Sequence, residues 1–387
     1  MRDYTGLADG VYGYMQKIRR NVHQNPCQSD DEYETAKFII EQLESLNIPY
    51  NNVGGNNVVG IIKGTTGKKI ALRADIDALP VVEETGLSFA SKNEGIMHAC
   101  GHDFHVANLL GVAKVLVEHI KMLKGTVYLC FQAGEEISKG AREVISFLDS
   151  EGGVDGCFGL HVDPLSTVGV IQSKRGAIMS GSSLFSIEVD GKGGHGSTPW
   201  LSVDPIKPAC EIALRIAALP ATRFSAFEPV TVNPCAINSG SAGNIIPEQA
   251  VIKGNIRFFK KELKSLIIEE IRKTAEGIAE SYGVKTSLTL SSDGTPPAIN
   301  RDDAYDRLKE TVQKRGFTFT SINEPWMASD NFAEYLHRYG GVYCFGGVAK
   351  EGERSYPLHN PKFNPNEQAL RVFCEVFLAY TDSFLNS

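Results

Sequence analysis

The chain contains no basic tract, no membrane-length apolar run, no CxxC pair and no phosphate-cradling glycine motif, and each absence closes off a class of function. The net charge is −7 and lysine and arginine nowhere interleave with aromatics, so no nucleic-acid partner is expected. The longest apolar runs fall far short of the roughly 20 residues that cross a bilayer, and no membrane partner is expected. Residues 1–10 are polar and carry no apolar signal core. The eight cysteines (Cys27, Cys100, Cys130, Cys157, Cys210, Cys235, Cys344 and Cys374) are scattered, without the close spacing of a disulfide framework. A reduced, cytoplasmic protein is the expectation that follows. The run Gly191-Lys192-Gly193-Gly194-His195-Gly196-Ser197-Thr198-Pro199 has neither the dinucleotide fingerprint nor the Lys-Ser/Thr ending of a P-loop, so it is not read as a phosphate cradle. No internal repeat or low-complexity segment is present.

What is present is length and alternation. A chain of 387 residues exceeds the size at which a single core stops growing, so two domains are expected. Residues 11–20 and 31–46 have helical apolar spacing, the second stretch ending before Pro49. Short β-rich runs at 58–62 and 69–72 flank Gly64-Thr65-Thr66-Gly67, a hairpin signal. Residues 106–117 read as a helix, and 126–132 and 158–162 as strands. This alternation argues for an α/β sheet with its chemistry at the strand ends. The texture changes near residue 180. A strand at 184–189, a helix at 204–219 stopping at Pro220, strands at 229–237 and 250–259, a helix at 262–281 and a strand at 285–290 follow one another. That β-α-β-β-α-β order describes a small ferredoxin-like layer. Thr295-Pro296-Pro297 reads as a return linker, after which helices at 303–315 and 331–339 and a strand at 342–345 restore α/β character. The expected division is residues 1–180 and 294–387 in one domain and 181–293 in an inserted one.

The densest chemistry lies in Met97-His98-Ala99-Cys100-Gly101-His102-Asp103-Phe104-His105, where a thiol, an acid and three imidazoles share nine residues. That donor mix suits a borderline divalent transition metal. An extended backbone would aim Cys100 and His102 to one side, and the glycine between them permits a close bend. The alternative is a buried thiol beside scattered histidines. Asp75 and Asp77 alternate at a strand end, as carboxylates holding a metal-binding histidine from behind would, or as part of a solvated turn before Pro80. Glu135 and Glu136 follow the strand at 126–132. Side by side they repel if buried, unless a metal engages one and leaves the other free as a base. The alternative is a solvated helix N-terminus. His161 ends a strand-like run, and His359 lies between Pro357 and Pro361 in a stiff loop, a good mount for a ligand. His23, near Pro26, reads as structural, and His119 and His337 as ordinary helix residues.

Taken together these stretches resemble the M20 metallopeptidase superfamily, in particular its amidohydrolase branch of hippurate and indole-acetyl-amino-acid hydrolases. The markers run nearly the length of the chain. They are Arg19-Arg20 with His23 and Pro26, Asp75-Ile76-Asp77-Ala78-Leu79-Pro80, His98-Ala99-Cys100-Gly101-His102-Asp103, Gly134-Glu135-Glu136, Gly159-Leu160-His161, Gly191-Lys192-Gly193-Gly194-His195, Asn244-Ile245-Ile246-Pro247 and Leu358-His359-Asn360-Pro361-Lys362-Phe363. The resemblance implies a metallopeptidase-like α/β catalytic domain with a mixed central sheet flanked by helices, and an inserted ferredoxin-like α+β domain that serves as lid and dimerisation element. It implies two divalent cations (zinc, manganese, nickel or cobalt) held by Cys100, His102, Glu136, His161 and His359. Cys100 stands where other branches place a bridging aspartate, and Asp75 and Asp77 lie on the strand that elsewhere carries a ligand histidine. Glu135 would be the general acid/base, Asp77 the acid behind a ligand imidazole, His195 the donor to the tetrahedral oxygen from a partner subunit, and Asn244 a substrate contact. His98, His105 and Asp103 match the motif but stay off the ligand set. Two departures stand out: Ser329-Asp330-Asn331-Phe332 replaces the branch's Ser-Glu-Asp-Phe, and residues 291–300 lack the arginine that clamps a substrate carboxylate in other members.

The resulting expectation is a dinuclear amidohydrolase that cleaves N-acyl amino acids and assembles as a homodimer or higher homo-oligomer through the inserted domain. A dipeptidase or carboxypeptidase on the same scaffold is the first competitor. An inactive binding protein would have lost Glu135 or several ligands, and a thiol redox protein would need a second, resolving cysteine near Cys100.

Overall fold

The structure, a computed structural model, describes residues 4–290, 294–352 and 355–387. Residues 1–3 of the polar amino-terminal run, residues 291–293 of the arginine-free stretch and the expected boundary at 293 lie outside the described residues. The chain divides into two compact units. One comprises the chain up to Ile178 together with Ala298–Pro325 and Asp330–Ser387; the other comprises Met179–Pro297 with Trp326–Ser329.

The first unit is built on an eight-stranded mixed sheet. In spatial order its strands are Tyr50–Asn52, Val58–Lys63, Lys124–Gln132, Thr65–Asp75, Gly156–Thr167, Gly341–Ala349, Val170–Ser173 and Thr318–Ser321. The four strands Lys124–Gln132, Thr65–Asp75, Gly156–Thr167 and Gly341–Ala349 run parallel to one another. Residues 70–75, 127–132, 156–164 and 341–348 of these strands are buried without interruption, as strands covered on both faces must be. Alternation along Gly156–Thr167 separates the two faces. Phe158 packs against Phe377 and stacks on Tyr380 of the helix Ala369–Leu385, whereas Gly159 faces Phe332 of the helix Phe332–Tyr339. Helices Tyr4–Gln24, His102–Glu118 and Ala369–Leu385 pack together on the first of these faces. His102–Glu118 is buried nearly all round, which places the motif's own residues inside the core.

One sequence expectation is corrected here. The runs around 58–62 and 69–72 are not hairpin partners, because Lys124–Gln132 lies between them, antiparallel to the first and parallel to the second. The Gly64-Thr65 corner bonds instead to Gly125 and Leu123, so the chain steps over a strand position that a later segment fills. A turn signal specifies a change of direction, and the partner is chosen by the sheet.

The second unit is a four-stranded antiparallel sheet in the order Val230–Ser239, Gln249–Phe258, Gly181–Asp190, Lys285–Leu290. Numbered along the chain this is 2-3-1-4, the ferredoxin-like arrangement, with helices Ile206–Ala217 and Leu263–Tyr282 packed on a core of Phe185, Ile187, Val189, Ile252 and Ile256. Pro220 does not end the helical path. It sits in the first turn of a further short helix, Leu219–Arg223, where its missing N–H costs nothing. Among the described residues no helix is long and apolar enough to cross a membrane, and all eight cysteines are free thiols.

Candidate metal centre

The carboxyl ends of the parallel strands and the loops leaving them bring most of the chemistry-bearing residues of the first unit together. Asp75 ends its strand opposite Gln132, the last residue of the neighbouring strand, and His161 lies on the next strand over. The loop after Gln132 turns through Gly134 into the short 3-10 helix Glu135–Ile137. Gly140 closes that loop, at a point where a Cβ would stand 2.0 Å from Ala133 O. Cys100 and His102 converge by a different route from the extended backbone expected of them. Gly101 adopts φ 85°, capping the helix that His102 begins, and a Cβ there would meet Val162 Cγ2 at 2.5 Å.

Four groups of donor atoms result. Cys100, His102 and His161 each place a ligand atom within 4.8 Å of the others, as do Cys100, Glu136 and His359. His102, Glu135 and Glu136 form a further such group, and Asp75, His102 and His105 a fourth. The imidazoles are held so that particular nitrogens face inward. His102 Nδ1 donates to Asp77 O at 2.9 Å and Asp77 Oδ1 at 3.1 Å, leaving Nε2 as the lone-pair atom. His161 Nδ1 donates to Val162 O at 2.9 Å, and its Nε2 lies 3.5 Å from Cys100 Sγ. His359 has φ 65°, a backbone conformation that costs energy for a non-glycine residue, and its N–H is held by Ala99 O at 2.8 Å. Its side chain is 53% exposed, so of these donors it faces solvent most.

The residues present fit a cation. His102 Nε2 and Glu136 Oε1 are buried and have no hydrogen-bond partner. They stand 3.8 Å apart, and Glu136 Oε1 is 3.6 Å from His359 Nε2, too far for hydrogen bonds and suited to an ion between them. Buried acceptors left unpaired are costly, and a positive ion satisfies all of them at once. Burial, with Glu136 nearby, pushes the Cys100 thiol well above its usual value, and burial lowers His161 to about 3, keeping it neutral. Burial, reinforced by Asp330 and Glu136, raises Glu135 well above the ordinary carboxylate range, while Arg73 and His102 oppose the shift.

Other motif residues have different partners. His105 is saturated, its Nδ1 meeting Asp75 Oδ1 at 2.5 Å and its Nε2 accepting from Val162 N at 3.2 Å. Asp103 pairs with Arg19 and His23, each at 2.9 Å, tying the motif helix to Tyr4–Gln24. His195 and Asn244 belong to the second unit. There the two-residue strand Gly194–His195 pairs with Ile245–Ile246, and Gly196 N donates to Asn244 O at 2.8 Å. His195 Nδ1 accepts from Ser197 N at 3.2 Å, so in the neutral ring the proton sits on Nε2, where the imidazole is a donor. The fold brings four residues to the cluster that had no assigned role: Arg73, Gln132 and Asn331 interlock behind Glu135, and Ser29 Oγ donates to Asp77 Oδ2 at 2.7 Å. The signals for them in the sequence are the charge of Arg73 two residues before Asp75 and the Asp330-Asn331 departure.

Sulfur, nitrogen and carboxylate donors converging at strand ends, with a carboxylate alongside, mark a metal-dependent hydrolase. The chain belongs to the peptidase family M20/M25/M40, whose sequence model matches residues 71–383. It is 36% identical over 368 residues to thermostable carboxypeptidase 2 of Saccharolobus solfataricus, covering 94% of this chain and 93% of that one. It is 36% identical to the N-acetylcysteine deacetylase of Bacillus subtilis, over 93% and 94% of the two chains. The hippurate hydrolase of Campylobacter jejuni is 35% identical, again over 93% and 94%. The crystal structure of Bacillus subtilis YxeP, described as a dinuclear metal-binding peptidase of the M20 family, superimposes with a TM-score of 0.83 at 33% identity, covering 98% of this chain and 99% of that one. The chain is a metal-dependent amidohydrolase of that family.

Proposed function

We propose that the protein hydrolyses the amide bond of N-acyl amino acids, using Cys100, His102, Glu136, His161 and His359 to hold two divalent cations. The carrying observation is the pair of unpartnered buried atoms, His102 Nε2 and Glu136 Oε1, beside a second carboxylate, Glu135, that sits against Asn331 N at 3.3 Å. When bound, the cations would polarise an amide carbonyl and lower the pKa of a water toward about 7.

The side chains divide the remaining work. Glu135 accepts the proton of the attacking water and hands it to the departing amine, which its raised proton affinity suits. Asp77 keeps the proton of His102 on Nδ1, so that Nε2 stays a lone-pair donor. His195, with its proton on Nε2, supplies a hydrogen bond to the oxygen that gains charge in the tetrahedral intermediate. Asn244, tied to the same turn, contacts the substrate. His195 acts on the site of a partner chain in a homodimer assembled through the second unit.

The names of the relatives divide between acyl-amino-acid hydrolysis and carboxypeptidase activity, and one assay separates the two. The purified enzyme, loaded with zinc, manganese, nickel or cobalt, is offered N-acetyl, N-benzoyl and indole-acetyl amino acids beside free dipeptides, and released amines are detected by mass. Turnover of the acylated set is expected; turnover of dipeptides alone would favour the peptidase reading and reject this one.

A further inference from the structure

Arg73 lies on the strand that ends in Asp75 and is 4% exposed. A guanidinium so deeply buried must find acceptors for all its N–H groups. Its Nε donates to Gln132 Oε1 at 3.2 Å, and its Nη1 to Asp75 Oδ2 at 2.5 Å and Asp330 Oδ2 at 3.2 Å. Its Nη2 donates to Asn331 Oδ1 at 3.1 Å and lies 3.2 Å from Asp330 Oδ1. On one side this fork reaches the donor cluster, because Asp75 also meets His105 and lies 3.4 Å from His102 Nε2. On the other side it reaches the loop that carries the two glutamates.

Asn331 makes the second connection. Its Oδ1 accepts from Arg73 and from Gln132 Nε2, the latter at 2.7 Å, so its Nδ2 is turned toward Lys139 O, to which it donates at 2.7 Å. Gln132 Nε2 reaches the same carbonyl at 3.2 Å. Gln132 and Lys139 bracket the loop holding Glu135 and Glu136, and Asn331 clamps both of its ends. The backbone N–H of Asn331 then meets Glu135 Oε1. An amide can accept from arginine and donate to a carbonyl at once, so this chain's asparagine serves a purpose an ionised aspartate could not.

We propose that Arg73 and Asn331 are positioning residues that together hold the Glu135 carboxylate in line with the donor cluster. The inference rests on the reading of Glu135 as the base. Lysine at position 73 keeps the charge and loses the planar fork; leucine at position 331 keeps the branched shape and loses all three side-chain bonds.

The test compares Arg73→Lys and Asn331→Leu with the parent as purified holoenzymes, by kcat and KM on the best N-acyl amino acid, by metal per chain from elemental analysis, and by the crystallographic position of Glu135. Both variants should lose about 100-fold in kcat, the cost of misplacing a reacting group by about 1 Å, with KM and metal content unchanged and Glu135 displaced. A kcat within about threefold of the parent in both would overturn the proposal. So would metal content falling in step with kcat, which would assign the pair to holding the cations. If Arg73→Lys does not fold, Asn331→Leu decides alone. If the parent hydrolyses no acylated amino acid, the proposed function fails by itself; the position of Glu135 in the variant crystals then decides, displaced in support and unmoved against.

Discussion

Asp77 accepts from His102 Nδ1 through Oδ1 at 3.1 Å and from the backbone N–H of Glu136 through Oδ2 at 3.0 Å, so one carboxylate aims two of the residues that face the candidate centre. It is held in turn by Ser29, whose hydroxyl donates to the same Oδ2. The donors reach it from the loop before residue 33, from the motif helix and from the loop after residue 132, and their relative placement depends on it.

Asp77→Asn should weaken metal binding without removing a ligand. An amide at this position must turn its NH2 toward one of two donors, so either His102 or Glu136 loses its support. Losing such a supporting partner costs about 10- to 100-fold in affinity. Calorimetric titration of the metal-free protein with Zn²⁺ measures it, and an unchanged affinity would show that Asp77 does not orient the imidazole.

Glu135→Gln and Cys100→Ala should fail in opposite ways. The first keeps the donor set, so metal per chain stays constant while kcat falls by about 10²- to 10⁴-fold. The second removes a donor buried among His102, His161 and Glu136, so the metal count itself drops. Elemental analysis alongside kinetics separates the two. Turnover retained in Glu135→Gln would reject the base assignment, and full metal content in Cys100→Ala would reject the thiol as a ligand.

If His195 serves the site of a partner chain, two inactive variants should complement each other. Mixing Glu135→Gln with His195→Ala subunits, with exchange verified by mass labels, should restore part of the activity, because each mixed dimer carries one site with an intact Glu135 and an intact His195. No recovery would place His195 at the site of its own chain.

Arg19→Met should destabilise the fold rather than the chemistry. Arg19 pairs with buried Asp103 at 2.9 Å and with Glu367 at 3.1 Å, and removing one partner of a buried pair costs about 3–5 kcal/mol. Burial alone would raise Asp103, but Arg19 and His23 outweigh it and hold its carboxyl well below the usual range. A depressed carboxylate contributes stability that is complete above its unfolded pKa of about 3.9 and is lost as pH falls below it. The gap between parent and variant in urea denaturation should therefore be widest near neutral pH and narrow below about pH 4. A gap independent of pH would mean that the loss comes from packing against Phe89 and Phe104 rather than from the ion pair.

Local pattern carried the element types well. The helical spacing at 11–20 lies inside Tyr4–Gln24, and the apolar run at 342–345 lies inside Gly341–Ala349. The β-α-β-β-α-β order was legible because strand and helix periods are properties of short windows. The 58–72 region misled because a glycine corner reports that the chain turns, while the choice of sheet neighbour depended on a segment that begins some fifty residues later. The bend at Cys100–His102 misled because alternation assumes an extended strand, and a left-handed glycine brings the two donors together without one.

The sequence by itself determined which donors exist and in what order they occur along the chain, because thiol, imidazole and carboxylate chemistry belongs to the residue and motif spacing is local. Only the tertiary structure decided which nitrogen of each imidazole faces inward, that His105 is occupied by Asp75 and Val162, and that Arg73 meets a partner 258 positions away in Asn331. Hydrogen-bond direction and burial arise between segments distant along the chain, and no short window of residues contains them.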